Sequence, residues 1–194
     1  MLCEDNQLNT AEEAASRALD LLSGEGNQFL VSKCHRLLGD ISYRRKEERE
    51  TAVNHYKAAL GIASCFDWHN EQFLCHLSLA DIFANEGRFS NAHIHIEHSK
   101  SHTVDNAYNL GSVLRVHACI LHAQGRLEEA KSEMLQATVI FEKLGAAHDL
   151  EQARTLLQGI QEEMNNPVAT EELDSDGELL KTMLFPTPTN SPFF

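Results

Sequence analysis

The sequence lacks the features that mark several large classes of protein. The chain has 194 residues, and no apolar run in it approaches the ~20 residues that a membrane-spanning helix needs. Its N-terminus has no basic region followed by an apolar stretch, so we expect no secretory signal. The five cysteines are scattered and form no CxxC pair, which is typical of reduced, mostly buried thiols. These absences predict a cytoplasmic protein, with the nucleus as the alternative.

Basic residues are also scarce. Lys and Arg number 16 against 29 Asp and Glu, which gives a formal net charge of −13. An acidic chain is poorly suited to the phosphates of nucleic acids or to anionic membranes. The sequence has no GxxxxGK[ST] phosphate loop and no GxSxG nucleophile elbow. We therefore expect no enzyme, no cofactor, no small-molecule substrate, and no nucleic-acid or membrane partner.

What the sequence does contain is an internal repeat. A small residue, followed four positions later by an apolar or small one, recurs at intervals of 41, 40 and 38 residues, beginning at Ala11, Ala52, Ala92 and Ala130. The last three are each preceded by a large-then-small pair, at Leu38-Gly39, Leu79-Ala80 and His117-Ala118. Such a period indicates an array of similar supersecondary units.

The residues between the two patterns predict a helix–turn–helix hairpin. Gly87 and Gly125 lie where a first helix would end, and a left-handed conformation there is favourable only without a Cβ. Small residues are needed where two helices cross, so we expect Gly39, Ala80 and Ala118 to face the alanines of the second helices. One hairpin cannot bury both of its faces, so hairpins stack.

Three segments resemble tetratricopeptide repeats: LGDISYRR…AVNHYKAAL, LADIFANEGRFSNAHIHIEHS and HACILHAQGRLEEAKSEMLQA. The likeness covers roughly residues 8–163. The units are longer than the usual ~34 residues, so the lengthened repeats of kinesin light chains and cell-polarity adaptors are the nearer likeness. The family's tryptophan is replaced by His35, His76 and Leu114. The resemblance implies an all-α, right-handed α-α superhelix of antiparallel hairpins with a C-terminal capping helix.

The predicted domain spans residues 1–163. It begins with a half repeat at 8–23, continues with three hairpins and ends with a capping helix at 147–163; the hairpins pair helices 27–45 with 49–64, 69–85 with 89–101, and 106–123 with 127–143. Residues 164–194 form an acidic tail that holds all four prolines. We predict that this tail is disordered.

The resemblance implies that the first helix of each hairpin lines a concave groove, which binds a peptide or helix of a partner. Spacing places twelve residues there: Lys33, Arg36, Asp40, Arg44, Leu74, Leu77, Asp81, Asn85, Ser112, Arg115, Cys119 and His122. The alternative is that this face is merely solvated. Some family members clamp the C-terminal carboxylate of chaperones with asparagine, but here Asp40 and Asp81 would repel it. Lys33, Arg36 and Arg115 remain suited to an acidic segment.

Two further sets of residues have functional spacing. His95, His98 and His102 share one helical face and could bind a transition metal; alternatively, they are exposed polar residues. In the tail, Thr187 and Ser191 precede proline, as in sites of proline-directed phosphorylation, and Ser175 lies in an acidic setting.

Two functions remain open from the sequence. The first is an adaptor or scaffold that binds another protein through its groove. The second is a structural segment of a larger multidomain signalling ATPase or multi-subunit assembly. The half repeat at residues 8–23 favours the second, because it matches the second helix of a hairpin whose first helix would precede it.

Overall fold

Eight α-helices account for all the regular secondary structure in the part of the chain that the structure, a computed structural model, describes. That part comprises residues 2–22, 26–45, 48–103 and 106–165, with side chains described from residue 7 onward. The helices are α1 (Leu2–Leu22), α2 (Gln28–Arg44), α3 (Arg49–Cys65), α4 (His69–Asn85), α5 (Phe89–Ser101), α6 (Ala107–Ala123), α7 (Leu127–Leu144) and α8 (Ala147–Asn165). The tail from residue 166, with Ser175, Thr187 and Ser191, lies outside the described residues.

The helix bounds agree with the sequence prediction to within two residues, with one exception. Helix α1 begins at Leu2 rather than at residue 8. The residues before Leu8 include neither glycine nor proline, so nothing local stops the helix from extending beyond its apolar repeat.

Local side chains explain several of these bounds. The Asn27 side chain accepts a hydrogen bond from the backbone N–H of Leu30 at 3.2 Å, which caps α2. Asn106 caps α6 in the same way by accepting from Asn109 N–H at 3.0 Å. Gly145, with φ of 66°, ends α7 in the left-handed region. These caps are local signals, which is why the sequence located the helices well.

The helices form three hairpins, namely α2–α3, α4–α5 and α6–α7. Helix α1 packs on α2, and α8 packs on α7. The first helices also contact one another along the stack, since α4 touches both α2 and α6. The chain is thus an all-α repeat solenoid closed by a C-terminal helix, as predicted.

Small residues lie where the helices cross. A Cβ on Gly39 would lie 3.0 Å from the ring of Tyr56 on the facing helix, which is closer than ordinary contact. Ala80 and Ala118 are fully buried. A second close approach was not predicted: a Cβ on Gly111 would lie 2.9 Å from the ring of Phe141. The small residues allow the helix axes to approach closely enough to exclude water.

The apolar core has two parts. One surrounds α4 and draws side chains from the first two hairpins and from α6, among them Tyr56, Phe73 and Ile96. The other joins α6 and α7 to α8 and includes Phe141 and Ile160. The first two hairpins therefore share one cluster, and α6 of the third hairpin contributes to both clusters. None of the helices in the described part is long and apolar enough to cross a membrane.

Candidate protein-binding face

The twelve predicted groove residues lie on α2, α4 and α6, and we call this surface the first-helix face. Arg44 and Asn85 are exposed, and most of the others are partly exposed. Leu77 and Ser112 are only 3% and 2% exposed and belong to the interior. Leu77 is buried because it belongs to the apolar cluster around α4. These two side chains offer no surface to a partner.

Arg36 is held by two carboxylates at the junction of the first two hairpins. Its Nε donates to Glu71 Oε2 at 3.0 Å, and a terminal nitrogen donates to Asp40 Oδ2 at 3.2 Å. Asp40 also accepts a hydrogen bond from the Tyr56 hydroxyl at 2.6 Å. Burial raises the pKa of Asp40, while Tyr56 and Arg36 oppose that rise. Arg36 therefore joins α2 to α4 and is already neutralised, which sequence spacing did not indicate.

Asp81 is also tied to the neighbouring hairpin. It accepts a hydrogen bond from the Tyr43 hydroxyl at 2.7 Å. The Asn85 amide donates both to that hydroxyl, at 2.7 Å, and to the Asp81 carbonyl, at 2.9 Å. Burial raises the pKa of Asp81, and burial beside this carboxylate raises the pKa of Tyr43. The Asp81 carboxylate thus joins α4 to α2 and has a structural role in the stacking of the first two hairpins.

The arginine of the third hairpin, Arg115, differs from Arg36 in its hydrogen bonds and ion pairs. The Nε of Arg115 is buried and has no hydrogen-bond partner, and no ion pair joins Arg115 to any carboxylate among the described residues. Cys119 lies four residues later, where Arg36 has Asp40. Burial raises the pKa of Cys119 to about 11, so this side chain is a neutral thiol. Asp81 acts on Arg115 only at longer range.

Both ends of α6 are linked to α8 instead. His122 Nε2 lies 2.6 Å from Glu163 Oε2, and the Tyr108 hydroxyl donates to Asp149 at 3.1 Å. In the described structure, these two contacts connect the third hairpin to α8, and neither of them involves Arg115.

An aromatic group that sequence reasoning missed borders the face. Trp68 stacks on Phe66 with 4.8 Å between ring centroids and meets the edge of Phe29 at 5.0 Å. The ammonium of Lys33 lies 4.3 Å from the Phe29 ring centroid. Phe66 is 51% exposed. Asp67, which lies between Phe66 and Trp68, has φ of 53°. This left-handed backbone turns the chain sharply enough to bring the rings of Phe66 and Trp68 together.

The three histidines with metal-binding spacing do not all meet at one place. His95 Nδ1 lies 2.8 Å from Nδ1 of His76 on α4, and His98 stacks on that same ring at 4.8 Å. His102 stacks on His69 instead. Across the described ranges, no group of three or more His, Cys, Asp or Glu side chains is arranged to hold a metal ion.

The histidine contacts follow the repeat. His35 and His55 of the first hairpin approach at 3.1 Å between their Nδ1 atoms, much as His76 and His95 do in the second. Burial, with the neighbouring histidines, lowers the pKa of His76 to about 4, and burial lowers that of His95 to about 4. Both rings are therefore neutral near pH 7, when one N–H can donate to the other ring.

The third hairpin has a carboxylate at the corresponding position. His55, His95 and Glu133 each lie three residues after the first alanine of their second helix. Glu133 accepts from His117 Nδ1 at 2.7 Å. That spacing was visible in the sequence, but the partner on the first helix was not.

Comparisons of the chain with protein-family models, with curated proteins and with solved structures find no match.

Proposed function

We propose that this chain is a protein-binding scaffold of the tetratricopeptide type, a right-handed superhelix that holds a peptide or helix of a partner on its first-helix face. The observation that carries the proposal is the direct succession of α2, α4 and α6, which contact one another. Three hairpins thereby contribute to one continuous surface. A surface of this length suits an extended ligand better than a compact small molecule.

The chemistry of the face supports a peptide ligand. Leu74 offers partly exposed apolar surface, Asn85 an exposed amide, and Lys33 and Arg44 positive charges. A peptide needs this mixture, because its side chains are bound by apolar contact and its backbone by hydrogen bonds. The aromatic group at Phe66 and Trp68 extends the face, and exposed aromatic residues are common anchors in interfaces.

We place this activity in the cytoplasm and propose no catalytic role. The four cysteines with described side chains, Cys34, Cys65, Cys75 and Cys119, are free thiols. Such thiols persist where the environment is reducing, which supports an intracellular location.

The test is a display selection of random peptides on the full chain, followed by affinity measurement with two double variants. Lys33→Glu with Arg44→Glu reverses two charges on the first-helix face. Lys57→Glu with Lys143→Glu reverses two exposed charges on second helices and changes the net charge equally. We expect the first variant to weaken binding of the selected peptides roughly tenfold or more, and the second to change it little.

Equal effects of the two variants would show that the first-helix face is not the binding surface. If the selection enriches no peptide, peptide binding itself is wrong, and the segment of a larger assembly becomes the better hypothesis.

A further inference from the structure

Two arginines occupy the same place in the repeat but differ in their partners. Arg36 and Arg115 each lie three residues before the small residue at the helix crossing, Gly39 or Ala118. Arg36 makes ion pairs with Asp40 and Glu71. At the positions that would supply those carboxylates to Arg115, the chain has Cys119 on α6 and, on α8, Asp149, which accepts from Tyr108 instead.

Arg115 is therefore a cation that forms no ion pair with a carboxylate in the described part of the fold. Its Nε is buried without a hydrogen-bond partner, yet the residue is partly exposed. A buried donor without a partner destabilises the folded chain. Guanidinium and carboxylate form the strongest common side-chain pair, because two parallel N–H groups match two oxygens. A carboxylate is therefore the type of partner that best matches an unpaired guanidinium.

We propose that Arg115 holds an aspartate or glutamate side chain of an acidic segment in the partner protein. The inference rests on the proposed function, because it names the chemistry that the first-helix face selects. The incoming carboxylate takes the part that Asp40 and Glu71 play for Arg36 in the first hairpin. Arg44 and Lys33 give the face further positive charge in a chain whose net charge is −13.

The charge already near Arg115 defines which ligand fits. Asp81 lies within electrostatic reach of Arg115 but is engaged by the Tyr43 hydroxyl. A ligand carboxylate must therefore approach the guanidinium from the side away from α4. Like charges repel, so one well-placed carboxylate fits this site better than a dense acidic run.

The experiment is a double-mutant cycle on the full chain. The probe is a peptide selected from a random display library, together with its version in which each Glu is replaced by Gln and each Asp by Asn. Both peptides are titrated against the natural chain, Arg115→Gln and Arg115→Lys, with thermal melting of each variant as the folding control. We expect Asp or Glu to be enriched in the selection. We expect Arg115→Gln to weaken the acidic peptide roughly tenfold, to affect the amide peptide little, and Arg115→Lys to retain much of the preference.

If Arg115→Gln weakens both peptides equally, or the amide peptide binds as tightly as the acidic one, the inference is overturned while peptide binding stands. A selection that enriches no peptide overturns the proposed function and this inference together.

Discussion

The first two hairpins and the third hairpin share a backbone plan but differ in their polar side chains. The second helices of the first two carry His55 and His95 where the third carries Glu133. In the first two hairpins that histidine meets another histidine, whereas Glu133 accepts a hydrogen bond from His117 Nδ1. The same position therefore supplies a second imidazole in one part of the molecule and a carboxylate in the other.

The arginines show the same division. Arg36 in the first hairpin has hydrogen-bond partners within its own fold, whereas the Nε of Arg115 in the third has none among the described residues. Small residues and apolar contacts specify the stack in all three hairpins, so the polar positions are free to differ between units. Ligand binding and the pH dependence of stability therefore depend on the polar side chains of each individual hairpin.

The largest expected effect is that of removing the paired arginine. Arg36→Gln leaves the carboxylates of Glu71 and Asp40 without their cation, and the Glu71 side chain is only 4% exposed. Breaking such a pair costs about 3 kcal/mol. Arg115→Gln removes no ion pair with a described residue, so we expect it to cost less than about 1 kcal/mol. Urea unfolding of both variants at pH 7 measures the difference.

Arg36→Gln combined with Glu71→Gln is the control for this prediction. Because it removes both members of the buried pair, it should be more stable than Arg36→Gln alone. Equal losses for Arg36→Gln and Arg115→Gln would contradict the division between the first and third hairpins.

This contrast could not have been predicted from the sequence. Helix bounds depend on neighbours such as Asn27 and Gly145, and the sequence located them. The partner of Arg36 is Glu71, 35 residues away on another hairpin. Which side chains meet across hairpins depends on the rotation of each helix about its axis, and residue spacing determines that rotation too loosely. The burial of Leu77 has the same origin.

The second effect is a loss of stability in acid. An unfolded histidine takes up a proton below about pH 6.5, whereas His76 and His95 stay neutral in the folded chain down to about pH 4. Between those values the unfolded chain binds more protons, so stability falls as the pH falls. Because the rings are only half-buried and solvent screens their charges, we expect a loss of about 1 kcal/mol from pH 7 to pH 5.

The charged groups that act on His76 and His95 further disfavour protonation of these rings. His98 on α5 opposes protonation of both rings, His102 just after α5 opposes that of His76, and Lys57 on α3 opposes that of His95. In the first hairpin, by contrast, Glu12 favours protonation of His55. His76→Gln should therefore reduce the acid loss, measured by urea unfolding at both pH values. An unchanged loss would mean that other groups cause it.

The third and smaller effect comes from giving the second hairpin the carboxylate that the third hairpin has at the corresponding position. His95→Glu places a carboxylate opposite His76, as Glu133 lies opposite His117 in the third hairpin. We expect this variant to lose about half as much stability between pH 7 and pH 5 as the natural chain, or about 0.5 kcal/mol. His148→Glu on the exposed surface of α8 is the control, and it should leave the loss unchanged. A full loss in His95→Glu would show that the pairing does not determine the response.

The last expected effect is of similar size and tests whether the two parts of the molecule unfold separately. Gly61 in α3 and Gly159 in α8 are exposed, and a Cβ at either position would meet no atom within 4 Å. Replacing a helical glycine with alanine stabilises the folded chain by about 0.5–1 kcal/mol.

Trp68, the single tryptophan, lies between the first two hairpins, so its fluorescence reports on their unfolding. At pH 5 Gly61→Ala should raise the urea midpoint of this signal, and Gly159→Ala should leave it nearly unchanged, because neighbouring units in a repeat array are coupled only through their interfaces. Equal shifts would mean that all three hairpins unfold as one unit, in which case the difference between Glu133 and the histidines changes the stability of the whole chain rather than that of its parts.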